Sequence, residues 1–170
     1  MASTTRLKLP DCGLYRTSRA LPNAEDTVPA GMLVNFHNHS EQNMPVLHLP
    51  MFNTFNRWQW SAEPTFIRQL SWIDSLQRIP TEGFYTLRKE VAFNDGKSKW
   101  PKGSLVQLGY DKTARPILFI AQQRFNLQDN NLWFGDQGVS LAPDLLGALD
   151  PVVVYEEPDP NVSGGEATHE

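Results

Sequence analysis

The sequence predicts a mostly β protein built of two tandem small modules related by internal duplication, each with a short helix. Three observations predict it. First, residues 28–36 (Val-Pro-Ala-Gly-Met-Leu-Val-Asn-Phe) return as residues 100–108 (Trp-Pro-Lys-Gly-Ser-Leu-Val-Gln-Leu), and self-similarity at a fixed period dictates architecture. Second, each segment runs through a polar turn into an apolar, β-branched stretch, which is a hairpin pattern. Third, 40% of the 170 residues are hydrophobic, with nine Phe, five Trp and four Tyr, enough to build a core.

Residues 1–27 read as an N-terminal extension broken by Pro10, Gly13 and Pro22, in which Leu14 and Tyr15 start a strand. The first module spans 28–90. Pro29 and Gly31 launch its first strand, because Pro fixes φ and Gly takes a conformation other residues resist. The turn Asn38–Asn43 leads to the strand Pro45-Val46-Leu47-His48-Leu49. An Asn-rich stretch then ends at Trp60, and Phe66, Ile67, Leu70, Ile73 and Leu76 form a short helical pattern. Phe84–Leu87 closes the module as a strand.

Residues 91–99 read as a linker around the turn signal Asn94-Asp95-Gly96, with Lys97 and Lys99 guarding a strand edge. The second module spans 100–156. Its turn Asp111–Arg115 leads to the strand Pro116-Ile117-Leu118-Phe119-Ile120, then to Trp133, to Leu145, Leu146 and Leu149, and to a closing strand Val152–Tyr155. The alignment predicts equivalent buried positions at Leu33 and Leu105, Leu47 and Leu118, and Trp60 and Trp133. Residues 157–170 carry acids, Pro and Gly without a large apolar residue after Val162, and read as a disordered acidic tail.

The Pro-x-Gly-x-Leu-Val opening followed by a hairpin is similar to small SH3-like barrels. The resemblance implies two such barrels in tandem and transfers no function.

The formal net charge of -4 gives no electrostatic footprint for a nucleic-acid backbone, so nucleic-acid binding by SH3-like barrels ranks last among the functions. No apolar run has the length of a membrane helix and no apolar leader opens the chain, which predicts a cytoplasmic protein with no membrane partner. No nucleophile elbow, phosphate-binding loop or dinucleotide fingerprint is present. The lone Cys12 sits in no nucleophile pattern and reads as an incidental thiol.

Two stretches remain as candidate sites. In Phe36-His37-Asn38-His39-Ser40-Glu41, strand alternation puts His37, His39 and Glu41 on one face, and His48 faces them across the hairpin. Such a set suits a divalent metal such as zinc or iron. Gly31 lies six residues before His37 and a His-x-His follows, which resembles the first motif of cupins, metal-binding β-barrels. The second module has Gly109 and Asp111 at the matching positions, so a metal site belongs to the first alone.

The other stretch, Phe52–Trp60, places Trp58 and Trp60 on one face and Arg57 and Gln59 on the other. Trp and Arg are frequent interface hot spots, so Phe55, Arg57 and Trp58 are the predicted partner-binding residues. The leading expectation is therefore a non-enzymatic module with no cofactor, binding a protein partner or associating with itself. A metal-binding protein or metal-dependent enzyme is the alternative.

Overall fold

A computed structural model describes residues 9–93, 96–123 and 132–155. The described chain is mostly β, arranged as antiparallel sheets with two short 3-10 helices. No helix among the described residues is long and apolar enough to cross a membrane.

The first half contains β1 (Gly13–Thr17), β2 (Leu33–His37), β3 (Val46–His48), β4 (Pro50–Thr54), β5 (Arg57–Trp60), β6 (Thr65–Phe66), a 3-10 helix (Leu70–Ser75) and β7 (Leu76–Arg78). Its sheet has the order β6-β3-β2-β1-β7, while β4 and β5 form a separate hairpin. Alternation decides the faces. Val34 and Phe36 of β2 point with Tyr15 and Leu47 into a core that also holds Val28, Ile67, Trp72 and Ile73. Each such side chain contributes about 1.5–3 kcal/mol by leaving water. Leu14 and Leu33 point the other way and join the core of the second half. The first sheet is therefore covered on both faces at β1 and β2.

The second half contains β8 (Gly83–Leu87), β9 (Val91–Phe93), β10 (Ser98–Trp100), β11 (Leu105–Tyr110), β12 (Pro116–Gln123), β13 (Leu132–Phe134), β14 (Val139–Ser140), a 3-10 helix (Pro143–Ala148) and β15 (Leu149–Pro151). Its sheet runs β13-β12-β11-β8-β15, and β14 also pairs with β12. Tyr85, Leu87, Val106, Leu108, Leu118 and Leu149 fill its core together with Leu14 and Leu33.

The pairing β6-β3-β2-β1-β7 of the first sheet has the same sequence of partners as β14-β12-β11-β8-β15 of the second. Long-range hydrogen bonds follow suit. Ile67 N–H donates to the Pro45 carbonyl and Leu141 N–H to that of Pro116 (3.0 and 2.9 Å). Ser18 N–H donates to Ser75 and Arg88 N–H to Ala148 (2.8 and 2.7 Å). Gly31 and Gly103 hold φ of 82 and 84°, the left-handed region that disfavours a side chain, and their N–H groups bond Thr17 and Leu87. The Tyr15 and Tyr85 hydroxyls each donate to a carbonyl four residues upstream, on Asp11 and Thr81.

Several expected elements differ. Neither sheet closes into a barrel among the described residues; both are open, with strands at their edges. Phe84–Leu87 does not close the first module. It is β8, which pairs with β11 and β15 of the second sheet. Leu14 and Tyr15, placed in an N-terminal extension, belong to β1, bonded on both sides by β2 and β7. Val152–Tyr155 carries no strand, and β15 closes the second sheet instead.

The linker 91–99 contains β9 and the start of β10, because Val91 and Phe93 alternate inward and Phe93 meets the Trp100 ring at 4.4 Å. The helical patterns shrink to the two 3-10 helices. Trp60 faces Pro50, while its register counterpart facing Ala121 is Phe134, not Trp133. Leu105 is half-buried where Leu33 is fully buried. Asn94, Asp95 and the expected tail 157–170 lie outside the described residues.

Candidate functional site

The register of the first sheet assembles a thiol and imidazoles at one end. Gly13 pairs with Phe36, so the residues next along, Cys12 and His37, come side by side. Asn35 pairs with His48 and His37 with Val46, which puts His37 and His48 diagonally on one face. Their ring centroids are 5.3 Å apart and nearly perpendicular, and His39 stands 6.0 Å from His37.

The Cys12 sulfur and one ring nitrogen from each of His37 and His39 lie within 4.8 Å of one another. Cys12 Sγ is 3.7 Å from His39 Nδ1. The Asn38 side chain binds the group together. Its Nδ2 donates to the Pro10 carbonyl, and its Oδ1 faces Cys12 Sγ at 3.4 Å and His39 Nδ1 at 2.9 Å.

His48 Nδ1 sits 2.6 Å from the Ser61 carbonyl. A carbonyl only accepts, so Nδ1 is the donor in this bond, which fixes the ring's orientation. Burial, followed by the neighbouring His48 and His39, holds His37 below the ordinary histidine range.

A concavity of about 510 Å³ opens beside this group, lined among others by His37, His39, Glu41, His48 and Glu63. The expected set is thus brought together in part. His37, His39 and His48 converge. Glu41 borders the concavity but stands outside the cluster, because β2 ends at His37 and the Ser40–Met44 turn, closed by the Ser40 hydroxyl on the Met44 carbonyl, carries it away. Cys12 was missed. A signal for the strand that follows it was present: Pro10, Gly13 and Tyr15 recur at the same spacing as Pro80, Gly83 and Tyr85.

The second candidate stretch forms the β4–β5 hairpin. Its two-residue turn, Phe55-Asn56, has φ of 51 and 61°, the left-handed pair that a tight hairpin demands and that a bulky Phe disfavours. The hairpin lies across the second sheet. Asn56 Nδ2 donates to Gln107 Oε1 at 3.0 Å, and Gln107 Nε2 to the Phe55 carbonyl at 3.2 Å. Trp58 Nε1 donates to the Tyr110 carbonyl at 2.8 Å, and its backbone N–H to Glu82 Oε2 at 3.1 Å.

Trp58 therefore turns toward the protein, half-buried. Phe55 is 91% exposed and Arg57 is exposed. Both line a groove of about 530 Å³ with Glu82, Phe84, Gln107 and Val154. Burial pushes the Glu82 carboxyl up, against the Trp58 N–H, Arg57 and the Tyr110 backbone, which pull it down. Its other oxygen, Oε1, is buried with no hydrogen-bond partner among the described residues.

Strand register makes these two regions positional counterparts. Phe36 facing Gly13 corresponds to Leu108 facing Gly83, so Cys12 answers to Glu82 and His37 to Gly109. Val46 and His48 answer likewise to Ile117 and Phe119. In the second half this face carries the hairpin; in the first it carries the thiol and imidazoles.

No family model, no curated protein and no solved structure matches this chain.

Proposed function

We propose that the chain is a non-enzymatic protein-binding module, built by tandem duplication of an SH3-like β unit, that takes an apolar segment of a protein partner in the groove at Phe55. The observation that carries this reading is Phe55 itself. A large aromatic stands 91% exposed at the tip of a hairpin, on a φ of 51° that costs about 1–3 kcal/mol. Such strain persists where the surroundings over-determine it, and here Gln107 and Asn56 tie the turn to the second sheet. Phe84 and Val154, 42% and 61% exposed, continue the apolar surface, and Arg57 offers a charge to a carboxylate on the partner. The duplication is supported by the matched strand order and the matched long-range hydrogen bonds.

The test is Phe55→Asn. Asn suits left-handed φ, so this variant melts at the same temperature as the parent or higher. A photoreactive residue at position 152, which also lines the groove, yields a specific adduct with the partner, and that adduct disappears in the Phe55→Asn background. Unchanged adduct yield in a stable Phe55→Asn protein would make Phe55 a mere turn residue and sink the reading.

A further inference from the structure

The counterpart faces of the two halves differ at one decisive position. On the second half the hairpin backbone comes so close that a Cβ at Gly109 would stand 3.2 Å from the Asn56 carbonyl oxygen. The counterpart of Gly109 is His37, whose imidazole fills the space a hairpin would need. The first face is thus barred from taking a hairpin in the manner of the second and carries a different set of groups: a thiol, two imidazoles beside it, and a third imidazole across the strand.

We propose that Cys12, His37 and His39 bind one zinc-class divalent ion per chain, with an exogenous fourth ligand on the side of the concavity. A thiolate with two imidazoles is a donor set that zinc favours, and three protein ligands leave an open position. The distances accord with this. Zinc–sulfur and zinc–nitrogen bonds of ~2.3 and ~2.0 Å at the tetrahedral angle require a sulfur–nitrogen edge of roughly 3.5 Å. Cys12 Sγ and His39 Nδ1 stand 3.7 Å apart, and all three donor atoms fall within 4.8 Å.

The Asn38 carboxamide oxygen accepts from the Cys12 thiol and from His39 Nδ1. Metal binding at these two atoms displaces both hydrogens: the thiol proton goes to solvent, and His39 takes the tautomer that carries its proton on Nε2. The Asn38 side chain, anchored to the Pro10 carbonyl, holds β1 and the end of β2 in register for the ligands. His48 stands beside the set rather than within it, its ring fixed by the Ser61 carbonyl.

Because Cys12 is the single cysteine, a thiol-alkylation rate on the full chain reads this site alone. Saturating zinc is expected to slow alkylation by at least about tenfold, since the metal holds the thiolate. Cobalt as the spectroscopic probe gives one ion per chain, with a sulfur-to-cobalt charge-transfer band and four-coordinate visible absorption. The charge-transfer band is lost in Cys12→Ser, and His37→Ala and His39→Ala each weaken binding by at least about tenfold. Glu41→Gln and His48→Ala retain both bands.

An alkylation rate that zinc leaves unchanged overturns the site without any variant needing to fold. A charge-transfer band surviving Cys12→Ser also overturns it, and loss of binding in His48→Ala overturns the three-ligand set. None of these outcomes depends on whether the Phe55 groove binds a partner.

Discussion

The carbonyl oxygen of Asn56 lies against Gly109 so closely that even a bare Cβ there would meet it at 3.2 Å. Gly109 has no left-handed φ to maintain, so its role is room: a side chain on β11 would lift the hairpin from the second sheet. The hairpin is also tied to the second half by the Gln107 amide, the Glu82 carboxylate and the Tyr110 carbonyl. Trp58 reaches the Tyr110 carbonyl only if Asn56 can approach.

Gly109→Val is therefore expected to destabilise the protein by about 1–3 kcal/mol, the usual range for overpacking. The measurement is the denaturant midpoint. Phe119, 3.7 Å from the same hypothetical Cβ, leaves little space for the substituent to turn aside. A midpoint unchanged in Gly109→Val would mean that the hairpin is not held where the contact places it.

Glu82 sets a pH dependence whose sign follows from its burial. Burial raises its folded-state value above the ordinary 4.5. Between the unfolded and folded values the folded chain binds the extra proton, so stability falls as pH rises through that window. Below the unfolded value the neutral carboxyl is buried without loss. In Glu82→Gln this term vanishes. The melting temperature of the variant relative to the parent is expected to climb as pH rises from about 4.5. A difference that stays flat would show that the Glu82 charge is solvated.

The Tyr15 and Tyr85 hydroxyls make the same bond in the two halves, at 2.7 and 2.8 Å. Tyr15→Phe and Tyr85→Phe should each cost about 0.5–1.5 kcal/mol, the net worth of one such bond. The two losses should be similar, because both rings are buried to nearly the same extent. A loss confined to one variant would argue that the two halves use this tyrosine differently.

Leu33 sits on β2 of the first sheet yet is fully buried in the core of the second half. Its backbone N–H also donates to the Lys112 carbonyl at 2.9 Å. Leu33→Ala is expected to cost about 2–5 kcal/mol and to lower a single cooperative transition seen by both near-ultraviolet dichroism and tryptophan fluorescence. Two separated transitions in the parent would contradict a core shared between the halves.

The β character, the Pro-x-Gly turns and the burial of Leu33, Leu47 and Leu118 were legible in the sequence, because turn chemistry and strand alternation act over a few residues. The histidines were legible for the same reason: His37 and His48 lie on one hairpin and share its register, and His39 follows two residues past the strand's end.

The tertiary structure alone decided three things. It placed Cys12 beside His37 through the pairing of β1 with β2, strands far apart in the chain whose register no local pattern dictates. It moved β8 from the end of the first half to the start of the second, because Tyr85 and Leu87 found their buried surface among Val106, Leu108 and Leu149. It also laid the aromatic hairpin over the second sheet and not the first. Two faces of nearly the same strand order differ there by a glycine and a histidine, and only the glycine leaves space for another strand's backbone.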